Sequence, residues 1–297
     1  MVVEATLRPR GPYSLALSAR LSSDATRRFR DRTLTAVHWV DGQPERVSAF
    51  QQTDGTLVLR GPSDEALDGL RFVLACDDDH SEFLQRFAKD RLLAGPIRHL
   101  RGLRRIRTAT VTQSLLRAVA GQLITSREAR EIERRLIRAT TPPHLDLHAP
   151  PMPRHLAKFS PPELQRFDLP SRKASAIVRL CRTLDLERLR EAPTRGVVGR
   201  LGRERGIGPW SIGVICLEGL GRTEVGLVGD LGLLKLCAAI RGRWADADDT
   251  AEVLAPYEEW AGLACVYLMA GAARGLVPVQ LSGAQVRRAR IKARYAA

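Results

Sequence analysis

Two helical patterns, Val197–Arg205 and Pro209–Leu220, are separated by only Gly206-Ile207-Gly208. A connection this short folds the second helix back on the first and limits the region to a helix–hairpin–helix. Pro209 suits the first helical position because it lacks the amide that would be unpaired there. The glycines accept positive φ and let another backbone come close. The turn and the N-terminus of the second helix therefore expose amides with no side chain in the way, at the positive end of a helix dipole. Such a cluster suits a phosphate oxygen, which makes Gly206, Ile207, Gly208 and Ser211 candidate phosphate-binding residues. A tightly packed αα-hairpin with no ligand accounts for the same residues.

A lone aspartate follows at fixed reach. Asp230 comes after Gly226-Leu227-Val228-Gly229 and opens the amphipathic run LGLLKLCAAI. Aspartate is a preferred N-cap and complements a helix dipole. The same placement turns a carboxylate back toward the hairpin, where it is available for chemistry. The residues alone leave both readings open.

The rest of the chain divides by pattern. Residues 13–21 (YSLALSARL), 33–40 (TLTAVHWV) and 56–60 (TLVLR) are strand candidates, with Asp41-Gly42 and Asp54-Gly55 as hairpin turns. An amphipathic helix follows near Asp64–Leu74, giving an α+β unit around an antiparallel sheet. From Ser81 onward, helices alternate with short polar breaks: Ser81–Phe87, Asp90–Leu100, residues 111–122, and a helix from Pro170-Ser171 to Leu184. Thr125-Ser126-Arg127-Glu128 and Ser160-Pro161-Pro162-Glu163 read as capping boxes. Pro142–Pro153, with five prolines, reads as a loop.

Charge narrows the partners. The net charge of +14 attracts polyanions, nucleic acid first. Only five of the 47 basic residues are lysine, so genome-driven arginine bias competes with that reading. The runs Arg98–Arg107 and Arg287–Arg294 are candidate phosphate contacts or solvated faces. The five cysteines are scattered with no C-x-x-C, which argues against a zinc site, an iron–sulfur cluster or disulfides. Asp77-Asp78-Asp79-His80 reads as a helix cap rather than a metal site, and no metal is expected. The uncharged stretch Trp260–Ala273 is shorter than the roughly 18 residues of a membrane span. The N-terminus has no signal-peptide pattern, so the expectation is a cytoplasmic protein away from membranes.

These features together resemble a family. The run LGRERGIGPWSIGVICLEGLGRTEVGLVGDLGLLKL is similar to the hairpin-plus-Gly/Pro-Asp signature of the helix–hairpin–helix (HhH-GPD) DNA glycosylase superfamily. Within it, the chain most resembles the 3-methyladenine DNA glycosylase II type. Ala120-Gly121-Gln122-Leu123-Ile124-Thr125, Leu169-Pro170-Ser171-Arg172-Lys173-Ala174 and Glu259-Trp260 match further family stretches in order, over roughly residues 75–275. The resemblance implies an α+β chain. An N-terminal antiparallel-sheet α+β domain (1–80) precedes an all-α domain of two helical lobes (81–297), which ends in a basic C-terminal tail.

The resemblance also implies roles. The enzyme would act as a monomer on double-stranded DNA, flip out a damaged base and remove it in base excision repair. Asp230 would be the catalytic carboxylate, stabilising an oxocarbenium-like sugar and orienting water. Members that also cut the strand use a lysine where this chain has Trp210, so an abasic site is the expected product. Trp210, Val214, Tyr267, Met269 and Gln122 would line the base pocket, and Leu123 would be the wedge that fills the gap left by the base. Val214 and Met269 stand where the resembled type carries aromatic residues, which leaves the preferred lesion open between alkylated purines and other damaged bases. The chain also lacks the closely spaced cysteines of the endonuclease III-like members. No cofactor is implied, except a monovalent cation on the hairpin carbonyls, with Arg205 and Ile207 as candidates. A DNA-damage-binding protein with little catalysis is the rival from another class, and a carboxylate among phosphates counts against it.

Overall fold

Residues 2–278 are described by a computed structural model of the chain; the basic run Arg287–Arg294 lies outside the described residues. Five strands, β1 (Val3–Leu7), β2 (Arg27–Arg30), β3 (Thr33–Val40), β4 (Gln43–Gln51) and β5 (Leu57–Gly61), form one antiparallel sheet in the order β1-β5-β4-β3-β2. Asp41 and Gly42 both take positive φ, 50° and 76°, and join β3 to β4 through the tight turn their sequence calls for. Helix α1 (Leu15–Ala19) lies where a strand is expected. Its partial alternation misleads, because Leu15 and Ala19 are the buried pair at i,i+4 spacing and Ser14 caps the helix from its side chain. Helix α2 (Asp64–Leu74) packs Leu67, Leu70 and Leu74 against the sheet, with Ser63 as N-cap.

The remaining helices are α3 (Ser81–Arg86), α4 (Ala94–His99), α5 (Val111–Gly121), α6 (Ser126–Thr140), α7 (Pro153–Ala157), α8 (Pro161–Gln165), α9 (Ser171–Thr183), α10 (Thr194–Gly202), α11 (Pro209–Val214), α12 (Leu231–Arg241), α13 (Ala247–Leu254) and α14 (Ala261–Ala272). Helix α11 runs on without a break as a π-helical segment, Ile215–Leu220. Both expected capping boxes, Thr125–Glu128 and Ser160–Glu163, are present. The proline-rich stretch holds a small hairpin pairing Pro143–His144 with Leu147–His148, an element its composition hid.

Helix α5 is the axis of the helical core. It buries Leu115, Leu116, Val119 and Ala120 completely and packs against α6, α9 and the α11–π segment. All five cysteines are free and buried in the described residues. No helix among the described residues is long and apolar enough to cross a membrane.

A buried charge network joins the sheet unit to this core. Arg117 on α5 bonds Asp24 before β2 at 2.8 Å, Glu133 on α6 at 2.8 Å and Glu218 on the π segment at 2.6 Å. Arg105 also pairs with Glu218, and Arg27 lies 3.3 Å from Asp24. Burial alone would raise the Glu218 carboxyl, but Arg105 and Arg117 outweigh it and hold it at about 2. The basic run Arg98–Arg107 needs correction on the same ground, because two of its arginines face inward. Arg104 is 1% exposed and Arg107 is 7% exposed. Arg104 bonds the carbonyls of Ala75, Arg10 and Pro12, and Arg107 bonds Asp78 and the Phe72 carbonyl. Guanidinium groups that bond inward in this way tie backbone segments together and are unavailable to phosphates. The expected cap at Asp77–His80 is corrected: His80 is the N-cap of α3 and makes no side-chain cap bond, while Asp79 accepts from the Ser81 amide at 2.8 Å in a turn ahead of the helix.

Candidate active site

The hairpin turn is built by two opposed residues. Gly206 takes φ +90°, which a Cβ would strain, while Ile207 turns inward and is 6% exposed. The buried isoleucine anchors the turn in the helical core and leaves Gly206 and Gly208 on the surface. Gly208 is extended, at φ −99° and ψ 178°, and stands as N-cap with no side chain of its own to satisfy the amides of α11. The turn amide of Ile207 donates to the Glu204 carbonyl at 3.0 Å, whereas those of Gly206 and Gly208 make no hydrogen bond among the described residues. Of the expected phosphate contacts, the glycine amides are therefore available. Ile207 is corrected to a structural anchor. Ser211 is corrected likewise: it is 1% exposed and its hydroxyl accepts from Gln122 Nε2 at 2.9 Å.

The Asp230 carboxylate is held at both oxygens. Its Oδ1 accepts the amides of Gly232 at 2.7 Å and Leu233 at 3.2 Å, the N-cap geometry of α12. Its Oδ2 accepts the indole Nε1–H of Trp210 at 2.9 Å. The preceding loop is pinned from behind, with Leu227 N–H on Cys265 Sγ at 3.3 Å and Gly229 N–H on Thr250 Oγ1 at 2.8 Å. One carboxylate thus caps the helix and accepts the indole, as a half-buried side chain at the helix N-terminus.

Trp210 is half-buried, and its other edge lies against α5. A Cβ at Gly121 would come within 2.9 Å of Trp210 Cη2, so any side chain there would force the ring that bonds Asp230 to shift. Met269 lies beside the same helix start: a Cβ on Gly232 would sit 3.6 Å from its Sδ. The other expected pocket residues do not reach this place. Tyr267 is fully buried, with its ring against Phe83 at 5.3 Å and its hydroxyl on the Leu103 carbonyl at 3.3 Å, so it is core rather than pocket wall. Val214, at 4% exposed, is core as well. Gln122 spends its amide on the hairpin, donating to the Gly206 carbonyl at 2.8 Å and to Ser211.

Leu123 stands at the corner between α5 and α6, 91% exposed and at φ +59°. An exposed leucine in the left-handed region is uncommon and calls for an account. Two side chains near these residues had no assigned role in the sequence. Lys173 Nζ bonds the carbonyls of Ala120 at 3.0 Å and Gln122 at 2.7 Å. Arg179 Nη2 bonds the Arg205 carbonyl at 2.7 Å, which sets a guanidinium on one of the two oxygens expected to bind a cation. Lys173 falls within the matched L-P-S-R-K-A stretch, the one signal that pointed to it; Arg179 had none.

Comparison with known proteins agrees with the superfamily resemblance. No family model matches the chain. A DNA-3-methyladenine glycosylase of Bacillus subtilis (strain 168) is 25% identical over 205 residues, covering 65% of this chain and 67% of the relative. Among solved structures, a 3-methyladenine DNA-glycosylase from Archaeoglobus fulgidus superposes with a TM-score of 0.78 at 17% identity, covering 90% of this chain and 97% of its own. The Clostridium acetobutylicum 8-oxoguanine glycosylase/lyase bound to DNA containing 8-oxoguanine gives 0.74 at 13% identity, covering 93% and 99%. At such identities the structural likeness is one of fold.

Proposed function

From the premise that this chain carries the fold and the motifs of the helix–hairpin–helix DNA glycosylases, we propose that it is a monofunctional DNA glycosylase of base excision repair. It acts as a monomer and releases alkylated purines of the 3-methyladenine type from double-stranded DNA. The observation that carries this reading is the bond from Trp210 to Asp230. Where strand-cutting relatives place an amine, this chain places an indole that steadies the carboxylate. With no amine there, no Schiff base with the sugar forms at that position. Lys235, the next lysine along, is exposed on α12 beyond the cap.

In the reaction, the amides of Gly206 and Gly208 receive a phosphate beside the lesion, and Leu123 enters the stack as the base leaves it. Flipping costs a few kcal/mol, least for a damaged base. As the N-glycosidic bond breaks, its electron pair leaves with the base and positive charge grows on the sugar. The Asp230 anion, already oriented by three N–H donors, faces that charge and aligns water for addition at the anomeric carbon. Trp210 and Met269 supply the polarisable wall for a cationic alkylpurine.

The test is base release from duplexes that each carry one defined lesion, comparing wild type with Asp230→Asn. Asparagine caps a helix about as well as aspartate, so the variant keeps the fold and loses the charge. The reading stands if release requires Asp230 and borohydride traps no covalent adduct. Tight binding without release by either protein would return the chain to a damage-binding role. The sparse aromatic lining favours a second reading, a glycosylase for other damaged bases, and preferential release of an oxidised or deaminated base from the same panel would establish it.

A further inference from the structure

We infer that Lys173 is a positioning residue for the wedge: its ammonium, clasped between the carbonyls of Ala120 and Gln122, holds the α5–α6 corner in the strained form that presents Leu123. This inference rests on the proposed function. Leu123 has the left-handed φ of +59° and is 91% exposed, so packing of its own side chain cannot hold the backbone there. A non-glycine residue stays in that region only when its surroundings over-determine it, and such strain gathers at functional sites.

Two contacts supply the constraint, and both involve Gln122. Its carbonyl and that of Ala120 converge on Lys173 Nζ, at 2.7 and 3.0 Å. Its side-chain amide donates to the Gly206 carbonyl and to Ser211 Oγ, at 2.8 and 2.9 Å. Lys173 is half-buried on the first turn of α9, and burial lowers its pKa from the usual lysine value. Its ammonium is turned onto protein carbonyls, so it is not a free phosphate ligand. The residue before the wedge is thus tied by its backbone to α9 and by its side chain to the phosphate-binding turn. A phosphate seated on the hairpin fixes Gly206, and through Gln122 it fixes the corner from which Leu123 enters the stack. A lysine on the last carbonyls of a helix is also an ordinary C-terminal cap. The distinction lies in what its removal does to flipping when the fold is intact.

The experiment uses the full chain with Lys173→Met, Lys173→Gln, Lys173→Arg, Leu123→Ala and the Lys173→Met/Leu123→Ala double variant. Duplexes carry 2-aminopurine beside a lesion, so fluorescence reports unstacking independently of base release. Lys173→Met should lower the unstacking signal and the single-turnover rate together, by about tenfold to about a hundredfold, the scale of a misplaced group. Lys173→Arg should restore both, and the double variant should be no worse than Leu123→Ala alone, because the two changes act on one device. The salt dependence of DNA binding should stay as in wild type. Full unstacking by Lys173→Met, additive losses in the double variant, or a salt slope lower by about one would each overturn the inference. Should Lys173→Met not fold, Lys173→Gln carries the same expectations. Wild type that unstacks DNA but releases no base would sink the proposed function while leaving this test readable.

Discussion

The indole Nε1 of Trp210 donates to Oδ2 of Asp230 at 2.9 Å, across 20 residues of sequence. The bond joins the second residue of α11 to the N-cap of α12, so the carboxylate's direction is set by the hairpin as well as by its own helix. The benzo edge of the same ring lies against Gly121, two residues before Leu123. One side chain therefore links α11, which follows the Gly206–Gly208 turn, to the Asp230 cap of α12 and to the end of α5 beside Leu123.

Trp210→Phe keeps an aromatic ring, though a smaller one, and removes the donor. A hydrogen bond to a charged group contributes about 1.5–3 kcal/mol, so the single-turnover rate of base release should fall by a factor of roughly ten to a hundred. Affinity for undamaged duplex should not change. A rate equal to wild type would show that the cap amides alone orient Asp230.

Gly208→Asp should separate folding from binding. A Cβ there would meet nothing within 4 Å, and the residue is the N-cap of α11. Aspartate caps better than glycine by a few tenths of a kcal/mol, so thermal unfolding should hold or rise slightly. The new carboxylate stands where the phosphate would sit, so DNA affinity should drop for all sequences alike and its salt dependence should flatten. An unchanged slope in a salt titration would remove the phosphate role from this turn.

Arg117→Met should be severely destabilising, because it leaves buried Glu133 with no arginine partner and leaves Asp24 and Glu218 with one each, Arg27 and Arg105. Breaking one partner of a buried pair costs about 3–5 kcal/mol, and denaturant unfolding would read this directly. Loss of less than about 1 kcal/mol would mean that water reaches the network.

Acid should attack the same network. Glu218 is held at about 2 against an unfolded value of 4.5, burial opposing the shift and Arg105 and Arg117 overcoming it. A carboxyl with a depressed folded pKa contributes stability that is complete above pH 4.5 and drains away as pH falls toward 2. The contribution is about 3 kcal/mol at neutral pH. Stability measured from pH 5 to pH 2 should fall, and Glu218→Gln should flatten that part of the curve while lowering stability at pH 7. A parallel profile in the variant would place the acid sensitivity elsewhere.

Much of the framework was legible along the chain because its signals are local. The Asp41-Gly42 turn, the two capping boxes, the span of α2 and the Gly-Ile-Gly-Pro hairpin each depend on a few neighbouring residues whose φ or hydrogen bonding is restricted. The same locality misled at Leu15–Ala19, where short alternation imitated a strand, and at Pro142–Pro153, where proline content masked a small hairpin. Among candidate site residues, Asp230, Trp210, Leu123 and the two glycines of the turn come together around α5 and the hairpin. Tyr267 and Val214 do not, because helical phase places both in the core.

What the sequence determined by itself, then, was a sheet-bearing N-terminal segment, a helical remainder, a glycine hairpin and an aspartate at a helix start, all consequences of local backbone preference. What only the tertiary structure decided was which side-chain ends meet. Trp210 finds Asp230 20 residues away, Lys173 finds the Gln122 carbonyl 51 residues away, and Arg117 finds Glu218 101 residues away. No periodicity encodes such pairs. They exist because packing brings the elements together, and each buried polar group left without a partner costs about 1–3 kcal/mol, a large share of a fold's marginal stability.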